Sequence, residues 1–77
     1  MKIEVYAVLK DYFDKEFSID APISTVAELK EMLIHQNADA TNVLKLCRFA
    51  VNDEFVQDNY ELKPDDNIHI IPPSSGG

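Results

Sequence analysis

Apolar and polar residues alternate from the start of the chain. Ile3, Val5, Ala7 and Leu9 fall in one phase of a period of two and Lys2, Glu4, Tyr6 and Val8 in the other, which predicts a half-buried strand over 3–9. A second strand is predicted near 16–19. Pro22 interrupts any ladder, and Thr25-Val26-Ala27-Glu28 then has the spacing of a capping box, in which the Thr25 hydroxyl and the Glu28 carboxylate each satisfy an orphan backbone donor. Val26, Leu29, Met32 and Leu33 recur behind it at helical spacing, so a helix is predicted with that stripe on a sheet and with Glu28, Lys30 and Glu31 in water.

From Gln36 to Leu46 the turn formers Asn37, Asp39, Thr41 and Asn42 mix with Val43, Leu44 and Leu46, which favour burial. The prediction there is a helix end, a loop and one helical turn. Phe49 and Val51 restart a strand, Asn52-Asp53 suits a tight hairpin turn, and Phe55-Val56 begins the return. Lys63-Pro64-Asp65-Asp66 suits a type I turn with proline at its second position, and Ile68-His69-Ile70-Ile71 forms a last strand. The order ββαβββ predicts an α+β chain of the β-grasp (ubiquitin-like) class, a mixed sheet of roughly five strands under one main helix, with the last strand central beside the first. Iron–sulfur ferredoxins share that fold but need four thiolates, and this chain has one cysteine.

With 77 residues there is room for one small core, which predicts one domain over 1–71 and an extended tail over 72–77. Lone Cys47 excludes an internal disulfide framework, and Met1-Lys2-Ile3-Glu4 has neither the basic start nor the apolar run of a signal peptide. A cytoplasmic location is the expectation. No apolar stretch approaches the roughly 18 residues that span a bilayer. The formal charge of −7 argues against nucleic acid or an anionic membrane as partner and for a protein with a basic surface.

The two glycines of the chain are Gly76 and Gly77, directly after Pro72-Pro73-Ser74-Ser75. Proline fixes φ and donates nothing to a ladder, so Pro72 and Pro73 should stop the last strand and project a stiff stalk. Two residues without side chains can enter a narrow slot in another protein. These features direct attention to the α-carboxylate of Gly77. An ionised carboxylate is unreactive toward nucleophiles and must be activated before it can do chemistry.

In its motifs the chain resembles, from end to end, the molybdopterin synthase small-subunit family of ubiquitin-like sulfur carriers. The most specific element is Ile71-Pro72-Pro73-Ser74-Ser75-Gly76-Gly77. Tyr6-Ala7-Val8-Leu9-Lys10-Asp11, Thr25-Val26-Ala27-Glu28-Leu29, Ala50-Val51-Asn52-Asp53-Glu54-Phe55-Val56 and Leu62-Lys63 with Asp66 support it. Asp65 stands where the family usually has glycine, Lys10 where arginine is common and Ser74 where valine is common.

The resemblance implies that an adenylating partner enzyme uses ATP to activate Gly77, that a sulfur donor protein then displaces AMP to leave a thiocarboxylate, and that the large subunit takes the sulfur to a cyclic pyranopterin monophosphate. Pro72, Pro73, Ser74, Ser75 and Gly76 would enter the large subunit's pocket, which would also supply the catalytic side chains. Sulfur would be held covalently on Gly77, with no stably bound cofactor, in an assembly of two small and two large subunits. A thiazole-pathway sulfur carrier would share the terminal chemistry, a ubiquitin-like modifier would pass Gly77 to lysines, and an interaction domain would leave its tail idle.

Elsewhere the sequence carries no metal-ligand set. Asp11, Asp14 and Glu16 lack the alternating order and glycine of a calcium loop, His35 falls near the helix end and His69 on an alternating strand, and Cys47 reads as a small apolar group. Tyr6, Val8 and Ile71 are predicted on the sheet face away from the helix, beside the stalk, as a small docking patch for the large subunit.

Overall fold

The computed structural model describes residues 1–73. Strand β1 spans Lys2–Val5 and β2 Glu16–Ser18; helix α1 spans Val26–Gln36 and the short α2 Thr41–Leu46; β3, β4 and β5 span Arg48–Val51, Glu54–Val56 and Asn67–Ile71. Single 3₁₀ segments occupy Ala7–Asp11 and Ala38–Ala40. The strands form one mixed sheet in the order β2-β1-β5-β3-β4. As expected from the sequence, β5 is central: it runs parallel to β1, with Ile3 opposite Ile68 and Val5 opposite Ile70, and antiparallel to β3, with Phe49 opposite Ile70.

Alternation along these strands sends Ile3, Val5, Phe49, Val51, Ile68 and Ile70 to one face, where they meet Val26, Leu29 and Leu33 of α1 and Leu44 of α2 in the core. The stripe read from the sequence thus covers the sheet, with Met32 packed at its margin. The cap of α1 forms as its spacing requires. Thr25 Oγ1 accepts from the Glu28 amide at 3.3 Å, and the Glu28 carboxylate accepts from the Ser24 amide at 2.6 Å, one residue upstream of the Thr25 amide. Two further orphan donors of the helix, the amides of Val26 and Ala27, reach the carbonyls of Tyr60 and Asp58 at 3.2 and 2.9 Å.

Three sequence expectations are revised. The first strand ends at Val5 rather than at 9, because Ala7 turns to φ 54° and the chain coils into the 3₁₀ segment, where the Leu9 amide bonds the Tyr6 carbonyl at 3.1 Å. Leu9 is fully buried, but by that coil and not by strand alternation. Lys30 is not in water: it lies half-buried, its Nζ donates to both Asp58 carboxylate oxygens at 3.0 and 3.1 Å, and it sits 5.5 Å from the centroid of the Phe49 ring. Its aliphatic stem can cover apolar surface while its head finds charge. Finally, the stretch after α1, expected as a loop and one helical turn, holds a 3₁₀ turn and the six-residue α2.

Both predicted turns form, and one network joins them. Asn52 and Asp53 have φ 51° and 72°, the left-handed pair of a type I′ hairpin turn. The Asp66 amide bonds the Lys63 carbonyl at 3.1 Å, closing the second turn. The buried Asp66 carboxylate accepts from the Lys63 amide at 2.8 Å and from the Asn52 side chain at 3.0 Å, while the Asn67 amide donates to Asn52 Oδ1 at 3.1 Å. The network pins the entry of β5 against the β3–β4 hairpin. Replacing Asp66 with alanine strands these donors and should lower the unfolding free energy by about 2 kcal/mol in urea denaturation. Asp66→Ala combined with Asn52→Ala should lose less than the sum of the two singles, because the partners share one network.

Candidate functional site

The site is built where β5 leaves the sheet. β5 ends at Ile71, as a following proline requires; Pro72 is buried and Pro73 exposed. Ser74, Ser75, Gly76 and Gly77, including the carboxylate singled out by the sequence, lie outside the described residues. The exit of the chain is nevertheless set, because β5 is held on both flanks up to its final residues, by Val5 opposite Ile70 and Arg48 opposite Ile71.

The sheet face away from α1 carries a transverse row. Glu4 lies opposite His69, His69 opposite Ala50, and Ala50 opposite Phe55. Tyr6, still extended after β1, joins this row: its hydroxyl and His69 Nδ1 share a 2.9 Å hydrogen bond, and the two rings lie 5.6 Å apart, tilted by 42°. With Nδ1 unprotonated the phenol is the donor. Desolvation among its neighbours, followed by the Glu4 carboxylate, pushes the Tyr6 phenol above its ordinary range, so the hydroxyl keeps its proton. On the far side of the ring, His69 Nε2 lies 4.0 Å from Glu4 Oε1.

Of the three predicted patch residues, Tyr6 and Ile71 fall on this open face at the end from which the tail leaves. Val8 is 42% exposed but belongs to the 3₁₀ segment, not to the strand, so it flanks the face instead of sharing it. Sequence reasoning missed Arg48 and Phe55. Phe55 is 58% exposed, and the Arg48 guanidinium stacks 4.5 Å from its ring centroid. The hairpin register carried the signal: once Asn52-Asp53 is the turn, Phe55 pairs with Ala50, in the opposite phase to Phe49 and Val51.

Away from the tail, a shallow groove of about 360 Å³ is lined by Lys2, Glu4, Asn52, Asp53 and His69. Its two carboxylates outweigh the single ammonium, so it offers no cradle for an anion. Cys47 caps α2, with its Sγ donating to the Val43 carbonyl at 3.1 Å, and burial pushes its thiol up to about 11 against a weaker opposing pull from Lys30. Such a thiol is almost wholly protonated at neutral pH and a poor nucleophile. Among the described residues no helix is long and apolar enough to cross a membrane.

A five-stranded mixed sheet under one main helix, with its last strand central and parallel to its first, defines the β-grasp (ubiquitin-like) class. The chain resembles solved structures of that class over nearly its whole length. The chain belongs to the ThiS family, whose model matches residues 3–77. A molybdopterin synthase sulfur carrier subunit of Dictyostelium discoideum is 35% identical over 81 residues, 99% of this chain and 94% of that protein. The namesake of Chlamydomonas reinhardtii is 42% identical over 52 residues, 65% of this chain and 63% of that protein. In structure, a putative molybdopterin converting factor subunit 1 of Pyrococcus furiosus matches with TM-score 0.81 at 22% identity, over 95% of each chain. The complex of subunits 1 and 2 of the Helicobacter pylori molybdopterin-converting factor matches with TM-score 0.71 at 26% identity, over 99% of this chain and 96% of that chain.

The thiol should behave accordingly. At pH 8 iodoacetamide should alkylate Cys47 of the folded chain at least roughly a hundredfold more slowly than the same cysteine in urea, and the folded rate should climb steadily toward pH 10 as thiolate forms. Equal rates would show that burial does not protect the sulfur.

Proposed function

We propose that this chain is the sulfur carrier subunit of molybdopterin synthase, not an enzyme on its own, and that it delivers sulfur on the C-terminal carboxylate of Gly77. The observation that carries the reading is the near end-to-end match to the Dictyostelium sulfur carrier subunit, 35% identical over 99% of this chain. It is supported by a fold in which the central strand leads straight into Pro72-Pro73, four residues before the Gly77 that closes the sequence given.

A carboxylate oxygen of Gly77 attacks the α-phosphorus of ATP in an adenylating partner, and pyrophosphate leaves. The acyl-adenylate has a good leaving group, so hydrosulfide supplied by a donor protein adds to the carbonyl carbon, AMP departs and the S–H proton is lost, leaving the thiocarboxylate. The large subunit then holds the carrier with its sulfur against a cyclic pyranopterin phosphate, making attack effectively intramolecular. That the Helicobacter pylori structure is a complex of subunits 1 and 2 supports the large subunit as partner. The charge of −7 favours encounter with basic surfaces, and a cytoplasmic setting suits a lone, unpaired cysteine. The chain contributes the tail, the docking face and the reacting carbon; acid–base chemistry falls to its partners.

Intact-mass analysis after incubation with an adenylating enzyme of the same organism, ATP and a sulfur donor should show the exchange of one oxygen for sulfur, located on Gly77. A lysine-linked conjugate would instead point to a protein modifier, and no reaction to an idle tail. Deleting Gly77 should abolish the gain while leaving the thermal unfolding midpoint within about 1 °C, since truncation of a terminal residue is ordinarily tolerated.

The open face carries a separate prediction. Tyr6→Asp places a carboxylate beside Glu4 on the docking surface and should weaken affinity for the large subunit at least roughly tenfold in calorimetric titration, with circular dichroism unchanged. Unchanged affinity would remove Tyr6 from the interface.

A further inference from the structure

The last residues of β5 are released from the sheet in an ordered way. On one flank, pairing with β1 ends at Val5 opposite Ile70, and the neighbouring chain then leaves through Ala7 at φ 54°. On the other flank, pairing with β3 ends at Arg48 opposite Ile71. The next pair would join Cys47 to residue 72. That pair would be a non-hydrogen-bonded one, because the Asn52 amide bonds the Asn67 carbonyl at 2.9 Å and bonded pairs alternate from there through Ala50–His69 to Arg48–Ile71; the Cys47 amide caps α2 on the Leu44 carbonyl at 3.2 Å. Pairing with β3 thus ends on a hydrogen-bonded pair, and no cross-strand bond is lost at residue 72.

Pro72 is nevertheless buried. It continues the phase of Ile68 and Ile70, the two fully buried residues of β5, while Ile71 keeps the phase of His69 on the open face. Pro73 is exposed. Burial changes after Pro72, one residue beyond the end of the sheet.

Building on the carrier reading, we propose that Pro72 is a positioning residue for transfer: its ring is anchored in the body of the protein and sets the direction of the arm, and only the segment from Pro73 onward enters a partner. Five residues of chain span at most about 17 Å, so the anchor also sets how deep a partner's slot can be. A terminal carbon has to be presented with a tolerance of about an ångström, and a base free to swivel would spread it over many positions. The anchor acts after docking, so its loss should appear in the rate of the bound complex.

The test uses the full chain with the organism's own adenylating enzyme, ATP and sulfur donor, following thiocarboxylate formation by intact mass over a range of carrier concentrations. Pro72→Gly removes the buried ring and frees φ; its kcat should fall about tenfold with KM within about twofold of wild type. Pro72→Val restores an apolar group that can be buried and should recover kcat to within about threefold. Pro73→Ala alters only the exposed proline and should stay within about twofold of wild type. A kcat unaffected by Pro72→Gly would overturn the proposal, and so would an equal fall in Pro73→Ala, which would mean that general stiffness and not the anchor matters. Should Pro72→Gly fail to fold by circular dichroism, Pro72→Ala carries the same comparison. A wild-type chain that gains no sulfur overturns the carrier reading and this proposal with it, whereas a reactive wild type beside an equally reactive Pro72→Gly overturns the anchor alone.

Discussion

The parallel pairing of the first strand with the last is the constraint on which the rest of the structure depends. β1 and β5 lie side by side with Lys2 opposite Asn67 and Val5 opposite Ile70, so nearly the whole chain is the connection between them. Closing so long a loop costs entropy before any contact repays it. The repayment is concentrated in β5, whose Ile68 and Ile70 are fully buried between neighbours on both sides and under the helical layer. Register there is absolute in its consequences. A slip of one residue would send Ile68 and Ile70 to the open face and bring His69 into the core.

The register is held at both ends by different means. At the entrance, the Asn52 side chain donates to the Asp66 carboxylate and accepts from the Asn67 amide, so polar geometry fixes where β5 begins. At the exit, pairing ends with Arg48 opposite Ile71, after which Pro72 is buried and Cys47 turns into the cap of α2. Between them the two faces carry different duties. One supplies the core, and the other carries a row from Glu4 through His69 and buried Ala50 to exposed Phe55, with Tyr6 hydrogen-bonded into it.

Much of this was legible in the sequence because the signals were local. Thr25 and Glu28 announce a cap three residues apart, Asn52-Asp53 suits two successive left-handed residues, and Pro64 marks the first corner of its turn. The central position of β5 could be reasoned from Ile68 and Ile70 with the fold class in mind. What escaped were features decided by tertiary context. The alternation Val5, Ala7, Leu9 continues the strand pattern on paper, but a 3₁₀ coil buries Leu9 equally well, and period two cannot tell the two apart when only three positions are involved. Lys30 reads as solvated by type, yet Asp58, 28 residues away in sequence, and Phe49 give it a half-buried place. Within the functional region, the proline pair was visible, but the difference between a buried Pro72 and an exposed Pro73 depends on the phase of a strand that the sequence alone could locate only approximately.

How the chain allots backbone freedom ties the fold to the tail. Three described residues adopt positive φ, and none is glycine: Ala7 at 54°, Asn52 at 51° and Asp53 at 72°. Asn and Asp tolerate this region, whereas alanine does so at a cost of about 1 kcal/mol that glycine would avoid. The cost at Ala7 is informative because a glycine there would also leave the junction between Tyr6 and the 3₁₀ segment more mobile in the unfolded and folded chain alike. With alanine, the turn that takes β1 away from the exit of β5 is stiffer, and Tyr6 is held where its hydroxyl meets His69. The body thus accepts mild strain to stay rigid beside the exit, while both glycines stand at positions 76 and 77, past the prolines. On the proposed carrier function that division is apt, since a partner's slot would meet a defined stem and, at its end, two residues with no side chain to obstruct entry.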